Sequence, residues 1–180
     1  MNSFFGKHFL LTICFLFEIL VSAKAQVEPG SHAIHWMSFS DAVKENQKQP
    51  KKIFIDVYTK WCGWCKRMDA TTYEDSAVIN FMNANYYAVH LDAETKDTII
   101  FRDKQFVFRP EYKANELALS LMSGKMSYPT VIYLDENFGL LAPSPGYQST
   151  EQLMPQLKYF ANDIYKEKTW EEYQKDILSH

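Results

Sequence analysis

Three apolar runs break the mixed patterning of this chain and read as buried strands. Ile53-Phe54-Ile55-Asp56-Val57-Tyr58 is partly β-branched and interrupted only by Asp56, and the strand is drawn from 53 to 59; Tyr86-Tyr87-Ala88-Val89-His90-Leu91 and Thr130-Val131-Ile132-Tyr133-Leu134 have the same character. Helical spacing separates them. Trp36, Phe39, Ala42 and Val43 recur at helical intervals, with Ser38 or Ser40 as a cap and Pro50 as the stop. Lys66-Arg67-Met68-Asp69-Ala70 contains helix formers and neither Gly nor Pro, so a helix is expected from 65 to about 72, followed by a short capped helix over Ser76 to Met82. Strand, helix and strand make a βαβ unit, whose chemistry belongs at the carboxyl end of its first strand.

The later half is less regular. Ile99 and Phe101, then Phe106 and Phe108, alternate around the polar Arg102 to Gln105 and suggest a hairpin without a glycine turn; Glu116 to Met122 reads as a helix ended by Gly124. After the third apolar run, Asp135-Glu136-Asn137 is a turn, with a short partner strand near Leu140. Leu153, Leu157, Phe160, Ala161 and Ile164 line one face of a final large helix, introduced by Ser149 and Gln152 at capping-box spacing. Pro155 opposes that start, which favours a later first turn. Trp170, Tyr173 and Ile177 add a last amphipathic segment.

The first residues stand apart. Lys7 and His8 precede the apolar run Phe9 to Phe17, and Ala23-Lys24-Ala25 offers small residues where a signal peptidase reads, so residues 1–25 are expected to be a cleaved secretory signal and 26–35 a mobile leader. Removing Lys7, Glu18 and Lys24 moves the net charge from -3 to -4, and no basic patch for nucleic acid is implied. Of the 3 cysteines, Cys14 leaves with the signal, and Cys62 and Cys65 remain. An exported chain with a single C-x-x-C pair gains little chain-entropy stabilisation from so small a loop, so the pair reads as redox chemistry. It lies between the first strand and its helix, with Cys62 near a helix N-terminus whose unpaired N–H groups favour a thiolate. A structural zinc site is disfavoured because no second cysteine pair exists and His32, His35 and His90 have no helpful spacing.

These residues resemble the thioredoxin superfamily, and more narrowly its exported thioredoxin-like members with a Trp-Cys-Gly-Trp-Cys-Lys motif. Trp61, Cys62, Gly63, Cys65 and Lys66 match the active-site string, Asp56 falls where thioredoxins keep a buried carboxylate, Tyr128-Pro129-Thr130 matches the loop whose proline is cis, and Gly146 falls at the glycine before the last helix. The resemblance implies an α/β chain of thioredoxin-like fold: a central mixed β-sheet flanked by helices over residues 36–165, with an inserted hairpin and helix at about 98–125 and a helical extension over 166–180. Trp64 stands where thioredoxin itself has proline, and the 98–125 segment replaces a shorter connection.

The resemblance further implies a protein-disulfide reductase or isomerase whose redox group is the Cys62–Cys65 disulfide, with no other cofactor and no metal. Cys62 would be the exposed attacking thiolate and Cys65 the more buried resolving cysteine. Asp56, costly to bury as an anion, would accept or relay the Cys65 proton through water, and His90 lies in the right strand to assist it. Trp61, Gly63, Trp64, Tyr128 and Pro129 would form the surface for an extended client, which could pair with the backbone at Tyr128. The remaining hairpin phenylalanines and Met68 are expected in the core. Protein disulfides or dithiols as substrates, a membrane electron donor, a monomeric state and a bacterial periplasmic location complete the expectation; a non-enzymatic thioredoxin-fold binding module is the alternative.

Overall fold

The computed structural model describes residues 32–179; the expected signal and its cleavage point lie outside them. In chain order the strands are β1 (Trp36–Met37), β2 (Lys52–Tyr58), β3 (Tyr86–Asp92), β4 (Ile99–Phe101), β5 (Lys104–Phe106), β6 (Phe108–Arg109), β7 (Ala114–Asn115), β8 (Thr130–Leu134) and β9 (Leu140–Pro145). The helices are α1 (Phe39–Lys48), α2 (Gly63–Ala70), α3 (Ser76–Asn85), α4 (Glu116–Leu121), α5 (Thr150–Ala161) and α6 (Trp170–Leu178), with 3-10 turns at Thr72–Glu74 and Ile164–Lys166. The main sheet runs β1-β3-β2-β8-β9, parallel through β1, β3 and β2 and antiparallel beyond. This is the mixed sheet flanked by helices expected from the sequence.

Strand β2 is central and covered on both sides, which is why its sequence is apolar almost throughout. Its pleat divides the core. Phe54 joins Met68, Tyr73, Val78, Tyr133, Leu153 and Leu157 on one face, while Ile53, Ile55 and Val57 join Phe39, Val89, Leu117 and Ile132 on the other. Asp56 shares the phase of Phe54. Parallel pairing with β3 sets Asp56 opposite His90, and Ala88 opposite Phe54.

The inserted segment folds back on the second face. Ile99, Phe106, Leu117, Ala118 and Met122 pack there with Phe39 and Ala42 of α1. Its hairpin turns at Arg102 and Asp103, both at positive φ (50° and 61°), so two non-glycine residues make the left-handed turn that strand twist demands. Arg102 is held there by a guanidinium hydrogen bond to the Asn137 carbonyl at 2.6 Å. Fully buried Asn115 organises the rest: its amide donates to the Thr95, Asp97 and Phe106 carbonyls and its oxygen caps α4 at the Leu117 N–H. The extra pair β6–β7, too short to show a period, was not foreseen from sequence.

Several expectations need correction. Trp36 lies in β1 and not in the first helix, because Ser38 caps at the Asp41 N–H and everything before it is extended. Helix α2 starts at Gly63, two residues early, and breaks into a 3-10 turn after Ala70. Helix α5 does start at Thr150 with its Ser149–Gln152 capping box and carries Pro155 inside; the carbonyl that loses its partner belongs to exposed Glu151, so the loss is not a buried one. The end of the expected leader is tied down: Ile34 is buried, the His35 N–H donates to Asn83 Oδ1 at 2.9 Å and the Asn83 amide donates to the Ala33 carbonyl.

Candidate active site

Beyond Tyr58 the chain turns, closed by the Cys62 N–H donating to the Thr59 carbonyl at 3.1 Å, and enters α2. Cys62 is the N-cap of that helix; its Sγ accepts from the Cys65 N–H at 3.0 Å, a role usually filled by Ser, Thr or Asp. The two cysteines are joined in a disulfide with Cα atoms 5.3 Å apart. Both sulfur residues are covered, Cys62 at 4% and Cys65 at 1% exposure. The exposed Cys62 expected from the sequence is therefore corrected: turning its sulfur inward to the helix N–H and to Cys65 takes it off the surface.

What faces solvent instead is aromatic. Trp61 is 66% and Trp64 59% exposed, and Gly63 between the cysteines is exposed as well. Trp61 is pinned by its indole N–H to Glu94 Oε1 at 2.9 Å and meets half-buried Tyr128 edge-on at 5.8 Å. Trp64 lies 5.5 Å from Tyr147, and the Arg67 guanidinium sits over both rings at 5.8 and 5.9 Å. Two aromatic pairs, Trp61–Tyr128 and Trp64–Tyr147, thus stand next to the cysteines in the chain. Burial, then the charges of Glu94 and Asp92, push the Tyr128 hydroxyl up to about 12, so it is a protonated donor near neutral pH. The Tyr128–Pro129 peptide is cis, Pro129 is buried, and its carbonyl accepts from the Gly146 N–H at 2.8 Å. Gly146 has φ +96°, a conformation that a side chain would strain.

Strands β2 and β3 and helix α2 bring together a second constellation. Asp56 is inside the protein, and its Oδ2 is 3.2 Å from His90 Nε2; the same nitrogen is 3.8 Å from Asp69 Oδ1. His90 is fixed by stacking on Tyr58, with ring centroids 3.9 Å apart, and by Trp36 at 5.1 Å. Burial raises the Asp69 carboxyl above the ordinary carboxylate range, with His90 opposing and Asp56 reinforcing the rise. Burial, followed by the charge of Asp56, drives the Tyr73 hydroxyl well above the ordinary tyrosine range, so Tyr73 is a neutral wall of this cluster. Among the described residues this is the one group of His, Cys, Asp and Glu close enough to embrace a cation, its donor atoms lying within 4.8 Å of one another. Three donors fall short of the four-donor shell of a structural zinc site, and His90 Nε2 and Asp56 Oδ1, both buried, make no hydrogen bond among the described residues.

Asp69 escaped the sequence reading, although it stands four residues after Cys65 on a helix and so shares its face. The strand register that brings His90 onto Asp56 is not written in either strand alone. Two grooves between β9, α5 and α6, lined by residues such as Ser144, Gln156 and Trp170, lie away from the cysteines.

Comparison with known proteins agrees with this arrangement. The family model described as "Thioredox_DsbH: Protein of unknown function, DUF255" matches residues 26–179. An uncharacterized protein of Archaeoglobus fulgidus is 30% identical over 63 residues, 35% of this chain and 50% of that protein, so the chain spans half the length of the curated relative it matches. Among solved structures, one titled "DsbH Oxidoreductase" has 18% identity and a TM-score of 0.53 over 76% of this chain and 91% of its own. A putative disulphide-isomerase from Bacteroides thetaiotaomicron has 23% identity and a TM-score of 0.52, covering 71% of this chain and 90% of its own. A thioredoxin from Thermus thermophilus has 14% identity and a TM-score of 0.54 over 71% and 87%. At these identities the solved structures establish the thioredoxin fold and no more.

Proposed function

The chain belongs to the Thioredox_DsbH family, and on that premise we propose that it is an exported thiol:disulfide oxidoreductase that reduces or isomerises disulfides in protein clients. The observation that carries this reading is the Cys62–Cys65 disulfide at the head of α2, walled by exposed Trp61 and Trp64. In the reduced protein the Cys62 thiolate attacks one sulfur of a client disulfide. A Cys62–client bond forms, the client bond breaks, and the departing client sulfur takes a proton. Cys65 then gives up its proton and attacks Cys62 Sγ, which closes Cys62–Cys65 and releases the second client thiol. Asp56 is the base we assign to the Cys65 proton.

Exposed Trp61 and Trp64, with half-buried Tyr128 ahead of the cis peptide, suit an extended polypeptide, their ring faces supplying sequence-tolerant contact. Export rests on the N-terminal pattern of a charged start, an apolar run and Ala23-Lys24-Ala25. No helix among the described residues is long and apolar enough to cross a membrane. In an oxidising periplasm a reductase needs its electrons resupplied, which assigns a membrane dithiol donor as its partner.

The cover over both sulfurs favours the other reading, a binding module that keeps its cysteines without turnover. Insulin reduction by a chemical dithiol separates the two. The protein should hasten precipitation of the insulin B chain and Cys62→Ser should abolish the effect; a rate equal to dithiol alone would leave the binding module.

A further inference from the structure

We propose that Asp56, His90 and Asp69 form a binding site for one divalent transition-metal ion of the zinc class, set where strands β2 and β3 meet helix α2. The three donors come from three elements. Asp56 and His90 are paired residues of neighbouring parallel strands, and Asp69 is on the helix that begins at the cysteines. Their donor atoms lie within 4.8 Å of one another, with Asp56 Oδ2 at 3.2 Å and Asp69 Oδ1 at 3.8 Å from His90 Nε2. A tetrahedral zinc ion, at its usual bond lengths to nitrogen and carboxylate oxygen, sets its donors about 3.3 to 3.6 Å apart. The two separations bracket that spacing, and a turn of the partly exposed Asp69 side chain closes the difference.

Unused bonding capacity gathers at the same place. Asp56 Oδ1 and His90 Nε2 are buried and make no hydrogen bond among the described residues, and the Asp56 side chain is only 1% exposed. The buried hydroxyl of Tyr73, which feels the charge of Asp56, makes none either. Native interiors seldom leave such atoms unserved, so three in one cluster ask for a ligand between them. Charge narrows what that ligand is. Among the described residues neither Asp56 nor Asp69 has a lysine or arginine ion pair, and His90 lends a positive charge only when protonated. With His90 neutral, two carboxylates share a partly dry site without a counter-ion, and a dication cancels both charges. Water would satisfy the bonds but bring no charge.

The donor set selects the class of ion. One imidazole with two carboxylates suits zinc and its transition-metal neighbours, whereas calcium takes about six to eight oxygens and magnesium keeps most of its water. Three protein donors leave a fourth position to water, as in open zinc sites rather than structural ones. The His90 ring is held for this role by stacking on Tyr58, with centroids 3.9 Å apart, and by Trp36 at 5.1 Å. An ion enters from the side of Asp69, 41% exposed, and His90, 27% exposed, with Asp56 as the floor. Once bound it ties β2, β3 and α2 through one atom, and so clamps the helix that carries the cysteine pair.

The test uses the oxidised protein without an affinity tag, freed of metal by a chelator, so that no free thiol supplies a ligand. Zinc chloride is titrated by calorimetry with magnesium chloride as the control, and cobalt(II) is titrated optically because four-coordinate cobalt absorbs visible light far more strongly than the hydrated ion. We expect one equivalent of zinc, an intense cobalt band, no uptake of magnesium and a higher urea midpoint when zinc is present. Asp69→Asn and His90→Gln, both at partly exposed positions, should weaken zinc binding by at least about tenfold and lose both the cobalt band and the stabilisation by zinc. Zinc that binds either variant as well as wild type sits elsewhere on the surface, which would overturn the site. A wild-type protein that takes up no zinc would overturn it too, leaving the orphaned atoms to buried water. So would a weak, six-coordinate cobalt spectrum from the wild type, a result that depends on no variant.

Discussion

Cys62 and Cys65 differ little in exposure but sit differently in the chain. Cys62 precedes the first turn of α2 as its cap and is flanked by the exposed Trp61 and Gly63, whereas Cys65 is inside the helix and faces the core. Cys62, at the mouth of the helix between exposed neighbours, is therefore the sulfur we expect a client to reach first. Replacing Cys65 with Ser should accordingly accumulate clients as mixed disulfides on Cys62, while Cys62→Ser should trap almost none; non-reducing gels of each variant mixed with exported protein measure this. Equal trapping by both would mean that the two roles are misassigned. At this scale the cysteine pair, Asp56 and Pro129 were legible because each has a distinctive spacing or an out-of-place polarity. The Asp56–His90–Asp69 contacts were not, because they depend on the pairing of two strands far apart in sequence and on a helix face.

Strand β2, which carries Asp56 and leads to the cysteines, is anchored at its start by a buried lysine. Lys52 Nζ lies 2.7 Å from Glu136 in the β8–β9 turn and 2.7 Å from Asp163 just after α5, so one cation ties three elements together. Burial works against its charge, but the hydrogen bonds to Asp163 and Glu136 outweigh it and hold the ammonium above its ordinary range. The Asp163 carboxyl is correspondingly held low, chiefly by Lys52. The raised lysine contributes stability that is complete below about pH 10.4 and is lost as pH climbs through its folded value. The lowered Asp163 contributes above about pH 3.9 and is lost as pH falls through its folded value.

The two sides of this anchor are not equivalent. Lys52→Met keeps the buried stem and leaves two partly solvated carboxylates, so urea unfolding should show a loss below about 1.5 kcal/mol. Glu136→Ala with Asp163→Ala strands a buried ammonium and should cost about 3 kcal/mol or more; a smaller loss than Lys52→Met would show that the ammonium reaches water. The long strands and the capped helices α1, α3 and α5 were readable because run length, period and cap agree in each. The two-residue β1, β6 and β7 have no period to read, and Pro155 argues against the observed start of α5 only where the carbonyl it deprives of a partner is buried, which exposed Glu151 is not.

At the scale of the whole molecule the sheet separates two cores, and charge around the disulfide bears on the direction of electron flow. A strong oxidant of this kind draws its drive from a stabilised reduced thiolate. Here Gly63-Trp64 places no charge between the cysteines. Of the nearby cations, Lys60 reaches toward Asp92 at 3.7 Å from an exposed position, Arg67 lies over Trp64 and Tyr147, and Lys66 is exposed. Exposed cations of this sort are screened by salt and lend a thiolate little. Asp56 and Asp69 oppose a further negative charge nearby, and what favours it is the N-terminus of α2, whose Cys65 N–H already points at Cys62 Sγ. The balance is a thiolate of moderate stability, which corresponds to a reduction potential of roughly -200 to -270 mV, between glutaredoxin-like and thioredoxin-like values. Equilibration with glutathione buffers of known ratio, followed by tryptophan fluorescence from Trp61 and Trp64, reads the potential directly. A value more oxidising than about -150 mV would place the protein with the strong periplasmic oxidants and overturn the assignment as a reductase or isomerase.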